Sequence, residues 1–316
     1  MLAFAARLRE GAKVSLLFGA GVSVACGIPD FRSQGGMYAT LRPELLTATP
    51  EQRARMAEDP TEVVNRSLFL QNPLPYHELR RPFILGTAER RWRPTVAHAF
   101  AKALADAGQL SHLYTQNIDS LERSLDFPEG SVIAVHGTIA EAGCEACGKA
   151  AEAGPYLEAV RQSIRDIYEP EKGPQMSTPI ACAACGKAAV KPTTVLFGGA
   201  LPEGFFSAAQ EDFSQGRSQA LIVAGTSLRV FPAASLLPAA GGCGARLVIN
   251  REEVGAELGF GELAGDCFLQ ADADAGFLRL AQQVGLLPRL LKYAPQLCDA
   301  SRKALEEAAA EAEAPH

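Results

Sequence analysis

The chain has 316 residues, a formal net charge of −6, 47% hydrophobic residues and 21% charged residues. This balance is typical of a globular protein and excludes a disordered chain, and the length allows one large domain or two smaller ones. The acidic charge, without any block of basic residues, argues against direct nucleic-acid binding, and no apolar run approaches the ~20 residues of a membrane span.

The N-terminal stretch MLAFAARLREGAK (1–13) is short, basic and amphipathic. We interpret it as the first helix of the fold rather than a targeting segment, because it leads directly into the apolar run VSLLF (14–18). Gly19-Ala20-Gly21 follows that run, and such a turn lets the backbone approach a pyrophosphate. The third glycine of the dinucleotide fingerprint and its ribose-binding acid are missing, so a hydride-transferring dehydrogenase fits poorly.

A Pro-stiffened segment interrupts the helix that should follow this turn. Pro29 precedes Asp30, Phe31 and Arg32, and it breaks the helical pattern within about two turns. Taken alone, the Asp30 and Arg32 charges are most simply read as a surface ion pair.

Further along the chain, apolar β-branched runs alternate with helical patterns. Strands are expected in LSHLYTQNID (110–119), SVIAVHG (131–137), TTVLFGG (193–199), QALIVAGTS (219–227) and ARLVIN (245–250), and helices in 95–108 and 277–285. This alternation predicts an α/β fold with a doubly wound, parallel, Rossmann-like sheet. The polar residues that end the strands should converge on one crevice at the carboxyl edge.

Two stretches interrupt the alternation and are expected to build a smaller lobe. We assign 34–85 to a helical insertion and 139–190 to a metal module. The sheet domain then comprises 1–33, 86–138 and 191–290. We assign 291–316 to a C-terminal tail, and its Ala/Glu-rich end ALEEAAAEAEAPH (304–316) is expected to be a solvated helix or disordered.

Four of the eight cysteines form two CxxC pairs, Cys144/Cys147 and Cys182/Cys185. Two such turns supply four thiolates, which is a closed tetrahedral shell typical of structural zinc. A redox dithiol is the weaker interpretation, because both turns fall in one insertion. The sequence therefore predicts a structural zinc site that folds a small module in a reducing compartment.

Among the five histidines, His136 ends a predicted strand and is followed by Gly137. A lone histidine is more often structural than catalytic. His136 nevertheless should face the same crevice as Asn117 and Asp119, and an ordinary imidazole pKa near 6.5 suits a general base at neutral pH.

The combined motifs resemble the sirtuin family, in order and at suitable spacing, from about residue 5 to residue 290. They are GAGVSVACGIPDFR (19–32), TQNID (115–119), VHG (135–137), the paired CxxC, KPTTVLFGGALPE (191–203), GTSLRVFPA (225–233) and VIN (248–250). The resemblance implies an NAD-dependent protein lysine deacylase that releases nicotinamide and transfers the acyl group to ADP-ribose.

The resemblance also implies site roles. His136 is the general base that activates a ribose hydroxyl once the acyl oxygen has attacked the anomeric carbon, and Asn117 and Asp119 complete the catalytic set. The implied cofactor contacts are Gly19, Ala20, Gly21, Ser23, Asp30, Phe31, Arg32, Gln116, Asn117, Ile118, Asp119, His136, Gly225, Thr226, Ser227, Asn250, Arg251, Glu252 and Phe277. The Asp30–Arg32 arm would act as a lid that keeps water from the breaking glycosidic bond.

The implied substrate is an acyl-lysine protein, with basic segments such as histone tails as one candidate class. It would add as an extended strand between VLFGG (195–199) and SLRVFP (227–232), with Val195, Phe197, Gly198 and Val230 as contacts. Gly199 stands where the family often has Glu, which puts substrate-side contacts in doubt. The stretch SLFLQNPLPYHELRRPF resembles deacetylase-type members. The Tyr76–Arg80 spacing is four rather than the three of acidic-acyl enzymes, so acetyl or a longer neutral acyl group is favoured.

Three alternatives remain open on the sequence. Protein mono-ADP-ribosylation or NAD glycohydrolysis would use the same pocket, and an NAD-sensing scaffold would not turn over. The intact Asn117, Asp119 and His136 set argues against the scaffold. Nucleus and cytoplasm are both compatible with the sequence.

Overall fold

The computed structural model describes residues 1–29, 36 and 39–313. Its strands are β1 (Val14–Phe18), β2 (Leu110–Thr115), β3 (Val132–Ala134), β4 (Ala142–Cys144), β5 (Ala150–Ala151), β6 (Val190–Pro192), β7 (Ala220–Ala224), β8 (Arg246–Asn250) and β9 (Asp266–Gln270). The longer helices are α1 (Leu2–Arg9), α2 (Pro50–Glu58), α3 (Arg66–Gln71), α4 (Leu74–Ala88), α5 (Val96–Asp106), α6 (Ala153–Ser163), α7 (Glu203–Ala209), α8 (Leu236–Ala239), α9 (Ala273–Val284), α10 (Leu287–Leu290) and α11 (Asp299–Glu313).

The larger lobe is built on a six-stranded sheet with the order β3-β2-β1-β7-β8-β9, in which all neighbours pair parallel. Helices cover both faces, so the central strands are buried on both sides; β7 is apolar throughout, and β1 is apolar except for Ser15. In β1, Leu16 and Phe18 pack under α1, α5 and α9, whereas Leu17 packs on the opposite face with α7 and α8. The prediction of a doubly wound parallel sheet is confirmed.

The smaller lobe combines α2, α3, α4 and α6 with a three-stranded antiparallel sheet in the order β5-β4-β6. One hydrophobic core, which includes Met56, Phe69, Tyr76 and Val160, joins the helices to the cysteine-bearing turns. Thr49 begins α2 with a capping box, in which its side chain accepts from the Gln52 amide. Side chains from both stretches thus share one hydrophobic core.

The prediction of a strand over TTVLFGG (193–199) is wrong. The regular strand of this region is β6, which pairs antiparallel with β4 in the small sheet rather than with the parallel sheet. Within residues 193–199 the β-pairing is limited to an isolated bridge, Asn65 with Phe197, because the Phe197 backbone bonds to Val64 and Arg66 of the smaller lobe. A strand that the sequence reasoning missed, β9, lies at the edge of the large sheet and is half-buried.

The described part of the Ala/Glu-rich end (304–316) is helical, as one of the two expectations had it, but this helix is packed along one face rather than solvated on all sides. Leu305 is fully buried in the core of the larger lobe, and Ser301 Oγ donates to Asp274 Oδ2 of α9 at 2.5 Å. The Ala/Glu composition gives α11 an exposed acidic face, but its small and apolar face packs on α9. None of the helices in the described part of the chain is long and apolar enough to cross a bilayer.

Candidate active site and metal centre

A cleft of about 660 Å³ lies between the lobes, at the carboxyl edge of the parallel sheet. Parallel strands place all their carboxyl ends at one edge, so the loops after β1, β2, β7 and β8 meet there. Of the residues predicted for the site, the cleft is lined by Gly19, Ala20, Gly21, Gln116, Asn117, Ile118, His136, Val195, Phe197, Gly198, Gly225, Thr226, Ser227, Val230, Asn250, Arg251 and Glu252.

The floor of the cleft is formed by the turns after β1 and β7, which lie in direct backbone contact. The Gly21 amide donates to the Gly225 carbonyl at 2.8 Å, and the Gly19 amide donates to the Ala224 carbonyl at 3.0 Å. A Cβ placed on Gly21 would lie 2.7 Å from the Gly225 Cα. Only glycine permits this approach, which leaves bare backbone facing the cleft, as a bound pyrophosphate requires.

Asn117, Ser23 and Asp119 form a buried network behind the floor. Asn117 Nδ2 donates to the Gly19 carbonyl at 3.1 Å and to Ser23 Oγ at 3.2 Å, and Ser23 Oγ donates to Asp119 Oδ2 at 2.6 Å. Ser23 and Asp119 do not line the cleft, so the structure assigns them to holding Asn117 and the turn in place. Asn117 Oδ1 is buried without a partner in the described part of the chain, as expected of an acceptor whose donor belongs to a ligand.

Asp119 shares its buried environment with two further titratable groups. Its carboxyl group, the Glu122 carboxyl group and the His98 imidazole lie within 4.8 Å of one another, and all three residues are buried. Burial raises the pKa of Asp119, and burial together with the Asp119 charge raises the pKa of Glu122 to about 7. This arrangement lies behind the cleft rather than in its wall, and the sequence reasoning did not predict it.

His136 is held for proton transfer by a single backbone contact. Its Nδ1 lies 2.9 Å from the Gln116 carbonyl oxygen. Because a carbonyl oxygen only accepts, Nδ1 carries the proton and Nε2 carries the lone pair. Burial lowers the pKa of His136 below its ordinary value, so the imidazole is neutral at pH 7. Gln116 Nε2 in turn donates to Thr226 Oγ1 at 3.0 Å, which ties the His136 region to the β7 turn.

The smaller lobe closes the cleft with residues that lie on α4 and on the segment after β6. Tyr76 Oη and Thr194 Oγ1 lie 2.8 Å apart in a buried contact, and Arg80, one turn further along α4, also lines the cleft. Phe197 and Phe231, which are 46% and 63% exposed, present aromatic rings at the mouth. The Phe197 backbone is already bonded to the smaller lobe, so this residue offers its ring rather than a strand edge.

Phe277, which the resemblance implies as a cofactor contact, is not among the residues that line the cleft; its side chain is fully buried and packs edge-to-face on Phe18. The cause is the helical period of α9, which places Phe277 on the same face as Leu280 and Ala281, toward the core. The cleft wall at this end is formed instead by 271–273, which follow the unpredicted strand β9. The predicted lid residues Asp30, Phe31 and Arg32 lie outside the described residues.

The four paired cysteines form a compact thiol cluster in the smaller lobe. Cys144 Sγ and Cys185 Sγ lie 3.7 Å apart, Cys147 Sγ and Cys182 Sγ lie 3.9 Å apart, and all four sulfurs lie within 4.8 Å of one another. Tetrahedral Zn–S bonds of about 2.3 Å require sulfurs about 3.8 Å apart. The donor set therefore fits zinc, with all four positions taken by protein and none open to substrate.

Comparison with known proteins agrees with this geometry. Residues 19–232 match the model of the Sir2 family. The chain is 36% identical over 243 residues to the NAD-dependent deacetylase sir2A of Dictyostelium discoideum, which covers 77% of this chain and 42% of that protein. It is 34% identical over 306 residues to the NAD-dependent protein deacetylase hst2 of Schizosaccharomyces pombe. The aligned region covers 96% of this chain and 80% of that protein.

A third relative is the NAD-dependent protein deacetylase sirtuin-2 of Danio rerio, 34% identical over 269 residues, covering 84% of this chain and 62% of that protein. The chain thus spans less than two thirds of two of these three relatives. The family match nevertheless covers, in one continuous stretch, the glycine floor, His136, the cysteine pairs and the cleft-lining residues 194–198 and 229–231. The chain belongs to the Sir2 family.

Proposed function

We propose that this chain is an NAD-dependent protein lysine deacetylase with a structural zinc site. The observation that carries the proposal is the position of His136, a neutral imidazole with its Nε2 lone pair available, in the wall of a cleft whose floor is bare glycine backbone. The printed names of the three relatives support the same activity.

NAD fits the residues present. The 19–21 and 225–227 turns would hold its phosphates, Asn117 Oδ1 would accept from one of its donors, and Asn250 and Glu252 lie at the far end of the cleft, beyond β8. Bound there, NAD supplies an activated glycosidic bond whose cleavage releases nicotinamide and allows capture of the acyl oxygen. The protein contributes orientation and the exclusion of water.

His136 is the group that moves a proton. Its Nε2 takes a proton from a hydroxyl placed against it in the cleft, while Nδ1 stays bonded to the Gln116 carbonyl and keeps the ring fixed. A positioned general base contributes about 10²–10⁴ in rate. Asp119 acts at one remove, because the Ser23 hydroxyl links it to Asn117. Asn117 also holds the turn that faces the phosphates, through the Gly19 carbonyl.

The peptide would enter between the segment after β6 and the 229–231 segment, with the acyl-lysine passing toward His136. Val195 and Val230 give the channel apolar walls, which suits a neutral acyl group. Acetyl is the acyl group proposed. An acidic acyl group is the second candidate, because the positively charged Arg80 lines the same wall of the cleft.

The test is to incubate the full chain with NAD and matched acetyl-lysine and succinyl-lysine peptides, and to identify products by mass spectrometry. We expect acetyl-ADP-ribose and nicotinamide in equal amounts, with the acetyl peptide preferred. Preference for the succinyl peptide would assign the channel to acidic acyl groups. Free ADP-ribose, or ADP-ribose on protein, without acyl-ADP-ribose would refute the deacetylase proposal.

A further inference from the structure

The wall of the cleft that receives the peptide is the groove segment (residues 194–198), and it is not part of a regular sheet. Its backbone is bonded to neighbouring segments at both of its ends instead. At its start, the Val195 amide donates to the His136 carbonyl at 2.8 Å. At its end, the Phe197 amide donates to the Val64 carbonyl at 3.0 Å, and the Phe197 carbonyl accepts from the Arg66 amide at 2.9 Å. Its shape therefore depends on groups outside the segment.

Lys191 holds the start of the groove segment from below. Its ammonium group is only 3% exposed, and Nζ donates to the Thr194 carbonyl at 2.5 Å and to the Pro192 carbonyl at 2.9 Å. An apolar side chain in place of Lys191 would leave both carbonyls without this donor. A buried ammonium group is retained only where it is paired and hydrogen-bonded.

Glu145 pairs with Lys191, and the same carboxylate also contacts Arg66 at the other end of the groove segment. Its Oε2 lies 3.1 Å from Lys191 Nζ, and its Oε1 accepts from Arg66 Nε at 2.6 Å. Arg66 is the residue whose amide bonds the Phe197 carbonyl. Glu145 also lies between Cys144 and Cys147 in the chain, so its backbone is placed by the cysteine turn.

We propose that Glu145 and Lys191 are positioning residues that transmit the fold of the four-cysteine site to the groove segment and thereby set the affinity for the acyl-lysine peptide. Neither residue lines the cleft, so their effect on the peptide acts through Thr194 and Phe197. The link to peptide affinity rests on the proposed function, whereas the link to the shape of the segment does not.

The first test measures the segment without any reaction. Hydrogen exchange at the Val195 and Phe197 amides is compared in the wild-type chain, Lys191→Met and the matched control Lys149→Met, which removes an exposed lysine of the same module. We expect about tenfold faster exchange in Lys191→Met and no change in the control, with zinc content equal in all three. Exchange within twofold of wild type in a zinc-loaded Lys191→Met protein overturns the proposal.

Two further variants separate positioning from loss of fold. Glu145→Gln leaves Lys191 as an uncompensated buried charge, whereas the double variant Glu145→Gln/Lys191→Met removes both charges. We expect the double variant to recover much of the thermal stability that Glu145→Gln loses while its groove amides still exchange fast. Recovery of slow exchange in the double variant contradicts a positioning role for this pair.

The second test is kinetic. In Lys191→Met we expect the KM for the acetyl peptide to rise about tenfold while the KM for NAD stays within twofold. Equal rises in both constants indicate general disruption and overturn the proposal. If the wild-type chain does not deacylate, the proposed function fails, and the exchange experiment still decides whether Glu145 and Lys191 position the segment.

Discussion

Replacing Gly21 with alanine tests the glycine floor of the cleft directly. The added Cβ would lie 2.7 Å from the Gly225 Cα and 3.0 Å from the Gly225 carbonyl oxygen, about 0.7 Å short of an ordinary 3.4 Å contact. Both obstacles are backbone atoms, so neither can rotate away. The two turns must separate, which stretches the 2.8 Å bond between the Gly21 amide and the Gly225 carbonyl.

Overpacking of this kind costs about 1–3 kcal/mol. The strain falls on the floor that would contact NAD. If NAD binding has to overcome this cost of about 1–3 kcal/mol, the Kd for NAD rises by roughly 5- to 150-fold. The Kd is measured by isothermal titration calorimetry on the full chain, with thermal melting as the check on folding.

The matched control is Gly204→Ala, which lies in α7 with nothing within 4 Å of the added Cβ. It should leave NAD affinity unchanged, and its effect on stability should be neutral or slightly favourable because alanine is the better helix former. A Gly21→Ala protein that melts like wild type and binds NAD within twofold of it would refute the argument that this floor needs bare backbone.

Three further predictions concern titration and metal. Burial lowers the pKa of His136, and the neutral ring is the active form. The deacylation rate should therefore be constant above pH 6.5 and should fall as the pH decreases below 6.5. A rate that instead falls only above pH 6.5 contradicts the role of His136 as general base. The Cys147→Ser variant should lose its zinc, as measured by elemental analysis. Its free energy of unfolding, measured by denaturant titration, should fall by at least about 3 kcal/mol. Unchanged stability would show that the cluster does not hold a structural metal. His77 and His98 are fully buried with pKa values lowered by burial from 6.5 to about 4, so below pH 6.5 the unfolded chain takes up protons that the folded chain does not. Each histidine should therefore lower the unfolding free energy by about 3 kcal/mol between pH 7 and pH 4, whereas Glu122, whose pKa burial raises to about 7, acts in the opposite direction. The histidine effect is measured as the difference in pH dependence between the wild-type chain and His77→Gln, and equal pH dependence in the two contradicts burial of His77 as a neutral ring.

The sequence was most informative where local pattern and sheet geometry agree. Strand runs that end in polar residues placed Gly19, Asn117, His136 and Thr226 at one edge, because parallel strands bring their carboxyl ends together. The CxxC spacing likewise predicted the thiol cluster, because each tight turn already holds two sulfurs together and four ligands result once the two turns lie side by side.

The sequence was least informative where one lobe docks on the other. The 193–199 run has the composition of a strand, but the chain there crosses between lobes. Its backbone bonds to His136 through Val195 and to Val64 and Arg66 through Phe197. The ion pair of Lys191 with Glu145 joins residues far apart in sequence, and single-sequence patterns carry no signal for such a contact. Phe277 was predictable as core, because its helical spacing to Leu280 and Ala281 marks the buried face of α9.

The most direct test of the central claim is the His136→Asn variant, whose amide can still donate to the Gln116 carbonyl but cannot accept a proton. With NAD and acetyl-lysine peptide, we expect formation of acetyl-ADP-ribose to fall by at least about 100-fold while the Kd for NAD stays within twofold of wild type. Deacylation within a few-fold of wild type would show that His136 is not the general base, and the proton-transfer role of this cleft wall would be wrong.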